Sequence, residues 1–359
     1  MPFSELIGQE RALGALRSAL ARGTLHHAYL FGGPEGVGKG TAARLLAQAG
    51  NCGRARAVPA EASAGGTPAE LPDPCGECGP CRKVAHGTHP DVIVLAEERV
   101  MAKAGRWEPK GGRAPSKDIV VDQVRDLVDR RLALKRFEGR RRFVIVDPAD
   151  AMNAQAQNAL LKTLEEPPDE TTLVLVASRP DLLLPTIRSR CARVAFGPLP
   201  GAAIQDRLRA EGWGEDEARL AVALSGGSLG RARALDARAL LAREQAVAAA
   251  AALDPDDAGS WIAFAREQGA DREAARETCE LLCVWLRDVL AVQAAGEGAP
   301  LALSDLASLS RGAAAALEPA EVVRRLEGAR AAVGALRQNA SAALALERVL
   351  IGWFHGDGR

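Results

Sequence analysis

Apolar residues are arranged in two ways along the first half of the chain. Short runs at residues 28–31, 91–95, 143–147, 172–177 and 193–196 are bounded by turn-forming residues and read as strands. Between them, apolar positions recur at helical spacing: Ala42, Leu45, Leu46 and Ala49, then Val121, Val124, Leu127 and Val128, then Leu160, Leu161 and Leu164. This alternation of strand and helix predicts an α/β unit, a parallel sheet covered by helices. The last of these helices must end at Pro167-Pro168, where the ring forbids continuation. After Pro198-Leu199-Pro200 the strand runs stop. Only helical periodicity remains, in a small segment from about 201 to 235 and a longer, Ala-rich one from about 240 to 353. Two stretches fit neither pattern: 53–72, rich in Ala, Gly and Pro, and 102–117, with Gly, Lys and Arg. Both predict mobile surface loops.

The 359 residues suit two or three domains. With Lys+Arg at 46 and Asp+Glu at 46, a grip on nucleic acid by net charge is excluded, so any such contact must come from a local patch. Arg140-Arg141-Arg142 is one candidate, although a solvated charged turn before a strand is the plainer reading. The N-terminal residues carry no basic stretch followed by an apolar one, and no apolar run is long enough to span a bilayer, which predicts a cytoplasmic chain without a membrane partner. In that compartment the seven cysteines are expected as thiols or metal ligands rather than disulfides.

Gly33-Pro34-Glu35-Gly36-Val37-Gly38-Lys39 follows a short strand and opens a helix, as a phosphate-cradling loop does. The glycines turn backbone N–H groups toward phosphate oxygens, and Lys39 reaches the terminal phosphates. The alternative is a Gly-rich turn that binds nothing. The residue after Lys39, whose hydroxyl should ligate Mg²⁺, is Gly40, and Thr41 stands one place late, about 100° further round the helix. The apolar run ending in Asp147 supplies an acid able to hold Mg²⁺ through water. The next position, where a carboxylate orients the attacking water, is Pro148, and a proline cannot be a general base. ATP or ADP binding is therefore expected to be weak or absent, and ATP hydrolysis absent.

Cys75, Cys78 and Cys81 stand at Cys-x2-Cys-x2-Cys spacing, with Cys52 as the fourth thiol. Four thiolates make the closed structural zinc arrangement, and the intervening Gly and Pro allow the turns that converge the sulfurs. An iron–sulfur cluster is the alternative, since it also uses four cysteines. His86 and His89 lie close enough to substitute as ligands, but packing or capping is the plainer role for each. Cys279 and Cys283, four apart on a helical pattern, read as buried core thiols.

These residues, together with Leu6-Ile7-Gly8-Gln9-Glu10, His89-Pro90-Asp91, the run from Asn158 through Glu165-Glu166-Pro167-Pro168, and Pro185-Thr186-Ile187-Arg188-Ser189-Arg190-Cys191, resemble the bacterial DNA polymerase III clamp-loader subunits, which are AAA+ proteins. The resemblance is strong over residues 2–196 and weak through the helical remainder. Within the family, the ATP-hydrolysing gamma/tau branch carries a Ser or Thr after the loop lysine and an acidic pair where Asp147-Pro148 stands here. This chain has neither, so it resembles the delta-prime branch.

The resemblance implies an AAA+ α/β domain over 1–197 with a zinc module inserted at about 52–90, a small helical lid over 198–239, and a helical collar over 240–359. It implies partners as well: the gamma/tau ATPase subunits and the delta subunit, primed DNA through the assembly, and the sliding clamp indirectly. It makes Arg190 the arginine finger acting in trans at a neighbour's ATP and Ser178 the first sensor position, beside a degenerate nucleotide site of Gly33, Gly36, Gly38, Lys39, Thr41 and Asp147. The second-sensor arginine of the ATPase branch falls on Gly230, with Arg231 one place off. Two other readings are an ATPase motor, with Thr41 and a relocated carboxylate such as Asp150 restoring the site, and a pure interaction scaffold.

Overall fold

Strand residues that must be covered on both faces read as continuous apolar runs, and here they form the middle of one sheet. The computed structural model describes residues 2–59, 70–241 and 244–355. It divides into two units, the first made of residues 1–203 with 227–230 and the second of 204–226 with 231–359.

The first unit holds a five-stranded parallel sheet. Its strands are β1 (Ala28–Gly32), β4 (Val92–Leu95), β5 (Arg142–Val146), β6 (Thr171–Ala177) and β7 (Ala192–Ala195), in the order β4-β5-β6-β1-β7. All five expected strands form, each shifted by no more than one residue at either end. Every residue of β5 and β6 is buried. Along β5 the side chains alternate between two cores. Phe143 and Ile145 join one with Leu13 and Leu16 of α1 (Glu10–Ala21) and Leu45 and Leu46 of α2 (Lys39–Asn51). Val144 and Val146 join the other with Val124 of α5 (Val121–Asp126), Leu160 and Leu164 of α6 (Ala154–Glu165), and Ile187 of α7 (Pro185–Arg190). Because β6 lies between β5 and β1, the C-terminal ends of these three strands come together, where a parallel sheet places its ligand sites.

Among their described residues, both expected loops are tied to the rest of the first unit. In the stretch 53–72, β2 (Arg56–Pro59) pairs antiparallel with β3 (Glu70–Asp73), while residues 60–69 lie outside the described residues. Asp73 accepts the Phe3 N–H at 2.7 Å and ties β3 to the start of the chain. The stretch 102–117 folds over the buried Glu98 of α4 (Glu98–Lys103). The Glu98 carboxylate takes hydrogen bonds from Arg113, from Trp107 Nε1 and from the Ser116 N–H at 2.6–3.1 Å. The Arg140-Arg141-Arg142 turn also departs from expectation. Arg142 is buried against Asp91 at 3.8 Å, and Arg141 pairs with Glu170 at 2.9 Å, so only Arg140 is free in solvent as a charged turn requires.

All regular structure among the described residues of the second unit is helical. Its core forms around the 24-residue helix α8 (Arg272–Ala295), which packs against α9 (Ala307–Ala316), α10 (Pro319–Arg337) and α11 (Ala342–Phe354). Asp271 caps α8 by accepting the Ala274 N–H at 2.9 Å. Trp285 and Trp353 face each other at 6.2 Å, and Cys279 is buried among them. No described helix is long and apolar enough to cross a membrane.

Candidate functional site

The loop between β1 and α2 needs a backbone that turns tightly and then starts a helix. Gly38, the residue before α2, has φ of 101°, which suits glycine alone. Lys39 then begins the helix, only 5% exposed. Its ammonium does not point outward. It donates to the carbonyl of Gly33 at 2.7 Å, to that of Pro34, and to Ser178 Oγ at 3.2 Å. The Ser178 contact follows from the pairing of β1 with β6, since Ser178 stands just past the β6 end. Burial pushes the Lys39 ammonium down from the usual lysine range, against the opposing pull of Asp147, Asp150 and Glu35.

The position that should carry a metal-ligating hydroxyl lies against a carboxylate. A Cβ added to Gly40 would run into Asp147 Oδ2. Asp147 ends the β5 run and its N–H donates to Leu95 O at 2.9 Å. Its carboxyl is raised by burial, with Arg44 and Lys39 acting in the other direction. Earlier in the loop, Gly36 O accepts the Gly230 N–H at 2.9 Å, and a Cβ at Gly230 would stand 2.9 Å from Gly36 Cα. Gly230 is thus the residue that lets the 227–230 segment lie on the loop, and an arginine cannot replace it there without moving one of the two backbones. Thr41 falls within the first turn of α2. Asp150, the other acid near the loop, accepts the N–H groups of Ser178 and Arg179 at 3.3 and 3.0 Å, so both its oxygens are engaged.

The four cysteines converge. Cys52 caps the end of α2, Cys75 follows β3, and Cys78 and Cys81 start α3 (Gly79–Ala85). Cys52 Sγ lies 3.6 Å from Cys75 Sγ and 3.8 Å from Cys78 Sγ, and Cys75 Sγ lies 4.0 Å from Cys81 Sγ. A tetrahedral ion with bonds of about 2.3 Å holds its sulfurs about 3.8 Å apart, so this set fits one ion. Backbone N–H groups of Arg54 and Cys75 point at Cys52 Sγ, and that of Cys78 at Cys75 Sγ. Burial opposes ionisation of Cys75, but the N–H groups of Cys78 and Glu77 outweigh it and bring that thiol down to about 6. Gln48 donates to Cys81 O at 2.9 Å and fastens α3 to α2. His89 is not among the ligands: it is buried, and its Nδ1 accepts the Asp91 N–H at 3.1 Å.

Arg190 closes α7, as the apolar pattern before it predicts. Its Nη2 pairs with Glu165 Oε1, the last residue of α6, at 2.6 Å, and its Nη1 donates to Thr186 O at 3.0 Å. The side chain remains 36% exposed.

A family model described as DNA polymerase III, delta subunit, matches residues 8–200. The chain belongs to that family. Among its relatives, DNA polymerase III subunit delta' of Pseudomonas aeruginosa is 42% identical over 218 residues, 60% of this chain and 57% of that protein. Subunit delta' of Bacillus subtilis is 33% identical over 200 residues, 56% of this chain and 51% of that one. DNA polymerase III subunit tau of Escherichia coli is 34% identical over 206 residues, 57% of this chain and 27% of that one. The chain therefore spans about half the length of the delta' relatives it matches.

In this member of the DNA polymerase III delta-subunit family, three side chains around these sites carry no signal of their role in the sequence. Asp91 lies in a quoted motif, yet what it does is accept N–H groups from residues 137, 138 and 139. Glu98 and Glu165 are acids in helices whose partners, Arg113 and Arg190, lie far along the chain. Glu165 was at least within the family-like run, whereas nothing but the fold brings Arg113 to Glu98.

Proposed function

We propose that this chain is a delta-prime-type clamp-loader subunit. It joins ATP-hydrolysing gamma/tau subunits and a delta subunit in the cytoplasm, helps set a sliding clamp on primed DNA, and does not hydrolyse ATP itself. The observation that carries this reading is the pair of positions 40 and 148, where Gly40 and Pro148 offer a phosphate neither a metal-ligating hydroxyl nor a water-orienting carboxylate. Lys39, which donates to carbonyls of its own loop and to Ser178, is left as a cation without that machinery. Gly33, Gly36, Gly38, Lys39, Thr41, Asp147 and Ser178 form, in this reading, a degenerate nucleotide site retained for its fold. A motor that relies on Asp150 would have to use an acid that already accepts two backbone N–H groups.

Function then passes to groups that act on neighbours. Arg190, at a helix end and held by a half-exposed pair, serves as an arginine finger in trans, placing a planar cation against a neighbour's terminal phosphate. Cys52, Cys75, Cys78 and Cys81 hold one structural zinc, which keeps β2, β3 and α3 folded and takes no part in chemistry. Residues 198–239 form the lid, and residues 240–359 the collar that joins the subunits into a ring. The test is reconstitution with purified gamma/tau and delta subunits, clamp and primed DNA. The isolated chain should show no turnover of ATP, while its addition should raise the DNA- and clamp-stimulated turnover of the partners. A steady-state rate in the isolated chain that Lys39→Ala abolishes would instead make it a motor, and assembly without any effect on turnover would make it a scaffold.

A further inference from the structure

The chain passes from the first unit to the second between residues 203 and 204, returns between 226 and 227, and leaves again between 230 and 231. Gly227–Gly230 is therefore a short strap that lies in the first unit, while the chain on either side of it belongs to the second. The helix before the strap, Glu215–Ser225, is built into the second unit. Leu220 lies in that unit's core, Arg287 of α8 donates to Ala223 O at 2.9 Å, and Ser304 Oγ donates to Asp216 Oδ1 at 2.9 Å. Gly226 then ends the helix with φ of 60°, and Gly227 follows with φ of 80°. Two left-handed residues in succession turn the chain in a way that a Cβ resists.

The two ends of the strap are fastened differently. At the first, Gly227 O accepts the Leu199 N–H at 2.7 Å, a Cβ on Gly227 would stand 2.5 Å from Pro198 Cβ, and Ser228 is 1% exposed. Gln9 secures the same stretch, donating to Gly197 O at 2.8 Å and accepting the Gly197 N–H at 3.2 Å. At the second end, the Gly230 N–H is a first-turn donor of the helix Leu229–Ala234, where no carbonyl of the same helix can reach it. Gly36 O accepts it instead, at 2.9 Å. Gly36 and Gly230 are both exposed, so this end is one neutral backbone bond within reach of water, a weak tie beside the buried one.

We propose that the phosphate loop is the catch of this strap. Closed, Gly36 O holds Gly230 and the strap is fixed at both ends. Released, it is held at Gly227 alone, and the second unit is free to turn about Gly226 and Gly227. This gives glycine a reason to stand at both contact positions without any nucleotide. Gly36 has φ of 72°, and a Cβ on Gly230 would meet Gly36 Cα, which is backbone and cannot swing aside. Gly36 O and the Val37 N–H belong to one peptide plane, so whatever turns that plane opens the catch. The proposal rests on the reading of the loop as catalytically silent, and gives it a mechanical use.

The full-length chain is followed by residue-resolved amide hydrogen exchange. In the wild type the Gly230 N–H should be protected, though less than the Leu199 N–H, whose bond is buried. Gly230→Ala should speed exchange by about tenfold or more in residues 33–38 and 229–234 together, while β6 and the helix Glu215–Ser225 keep their rates. Small-angle scattering of the same variant should show a broader distribution of distances. Residues 33–38 exchanging at the wild-type rate in Gly230→Ala, or an unchanged scattering profile, overturns the proposal. If that variant does not fold, the wild type decides: a Gly230 amide that exchanges as fast as an unstructured peptide overturns it. The clamp-loader reading is judged separately, by turnover in the reconstituted assembly, and stands whichever way the catch behaves.

Discussion

Gly40 and Asp147 compete for one space, because a Cβ on the glycine would meet the carboxylate oxygen of the aspartate. The first sits at the start of α2 and the second just past β5, so the sheet itself brings them together. Restoring the expected hydroxyl by Gly40→Ser requires that carboxylate to turn aside, and it leaves Pro148 where the water-orienting acid is missing. It should cost only about 1 kcal/mol of stability, the low end for overpacking, because a carboxylate end and no backbone has to move, and phosphate release should stay at background. Denaturant melts and a coupled phosphate assay check the two halves of this expectation separately.

Zinc should be present at one ion per chain by elemental analysis of the purified protein. Cys78→Ser should lose it, because the three remaining sulfurs leave the tetrahedral shell open. The damage should be local. Hydrogen exchange should rise in α3 and in β2 and β3, while β5 and β6 in the middle of the sheet stay protected. Zinc affinity should fall with pH, since protons compete for the thiolates. A protein that binds no zinc at neutral pH, or a Cys78→Ser protein that keeps it, excludes the four-cysteine site.

Asp91 predicts a pH dependence. Burial alone would raise its carboxyl, but the N–H groups of Glu138, Gly139 and Phe137, together with Arg142, outweigh burial and hold it below the usual carboxylate range. The stability this confers is fully present above the ordinary value of about 4 and is lost as pH falls through the lower native one. Asp91→Asn should cost about 2–3 kcal/mol at neutral pH, because charged acceptors make the stronger bonds. The gap between wild type and variant should narrow as the medium is acidified below about pH 4. A gap independent of pH would show that Asp91 acts by shape rather than charge.

Much of this was legible in the sequence, and the reasons for the rest are physical. The strands were readable because β5 and β6 are covered on both faces and so carry unbroken apolar runs. The cysteines were readable because a metal imposes fixed spacing, and the gaps at Gly40 and Pro148 because a phosphate loop has fixed positions. How the 102–117 stretch is fastened was not legible, because its ties run to one buried acid, Glu98, whose partners lie up to 18 residues away. Composition records the glycines and lysines of such a segment but not the carboxylate beneath it. Arg142 was misread for the same reason. It looks like the third charge of a solvated turn, yet it is the first residue of β5 and turns inward onto Asp91.

Arg190 carries the last prediction. In the isolated chain its guanidinium rests on Glu165 and on Thr186 O. The Glu165 side chain is half exposed, so the pair is worth only about 0–1 kcal/mol and can give way to a phosphate. Carboxylate and terminal phosphate are both anions that take the same planar fork, and a carboxylate left beside the nucleotide would repel it, so engagement with one means release of the other. Arg190→Ala should then leave folding, zinc content and assembly unchanged. At the one site facing this subunit, phosphate release should slow by about 10³-fold or more, the scale of a finger supplied in trans. Arg190→Lys should rescue poorly, because a point charge cannot reproduce the fork. Glu165→Gln should keep the wild-type rate, since that residue holds only the resting arginine. Pre-steady-state phosphate release by the assembled loader separates these variants. If Arg190→Ala assembles normally and releases phosphate at the wild-type rate, Arg190 is an ordinary surface arginine paired with Glu165, and the chain serves its ring as a scaffold.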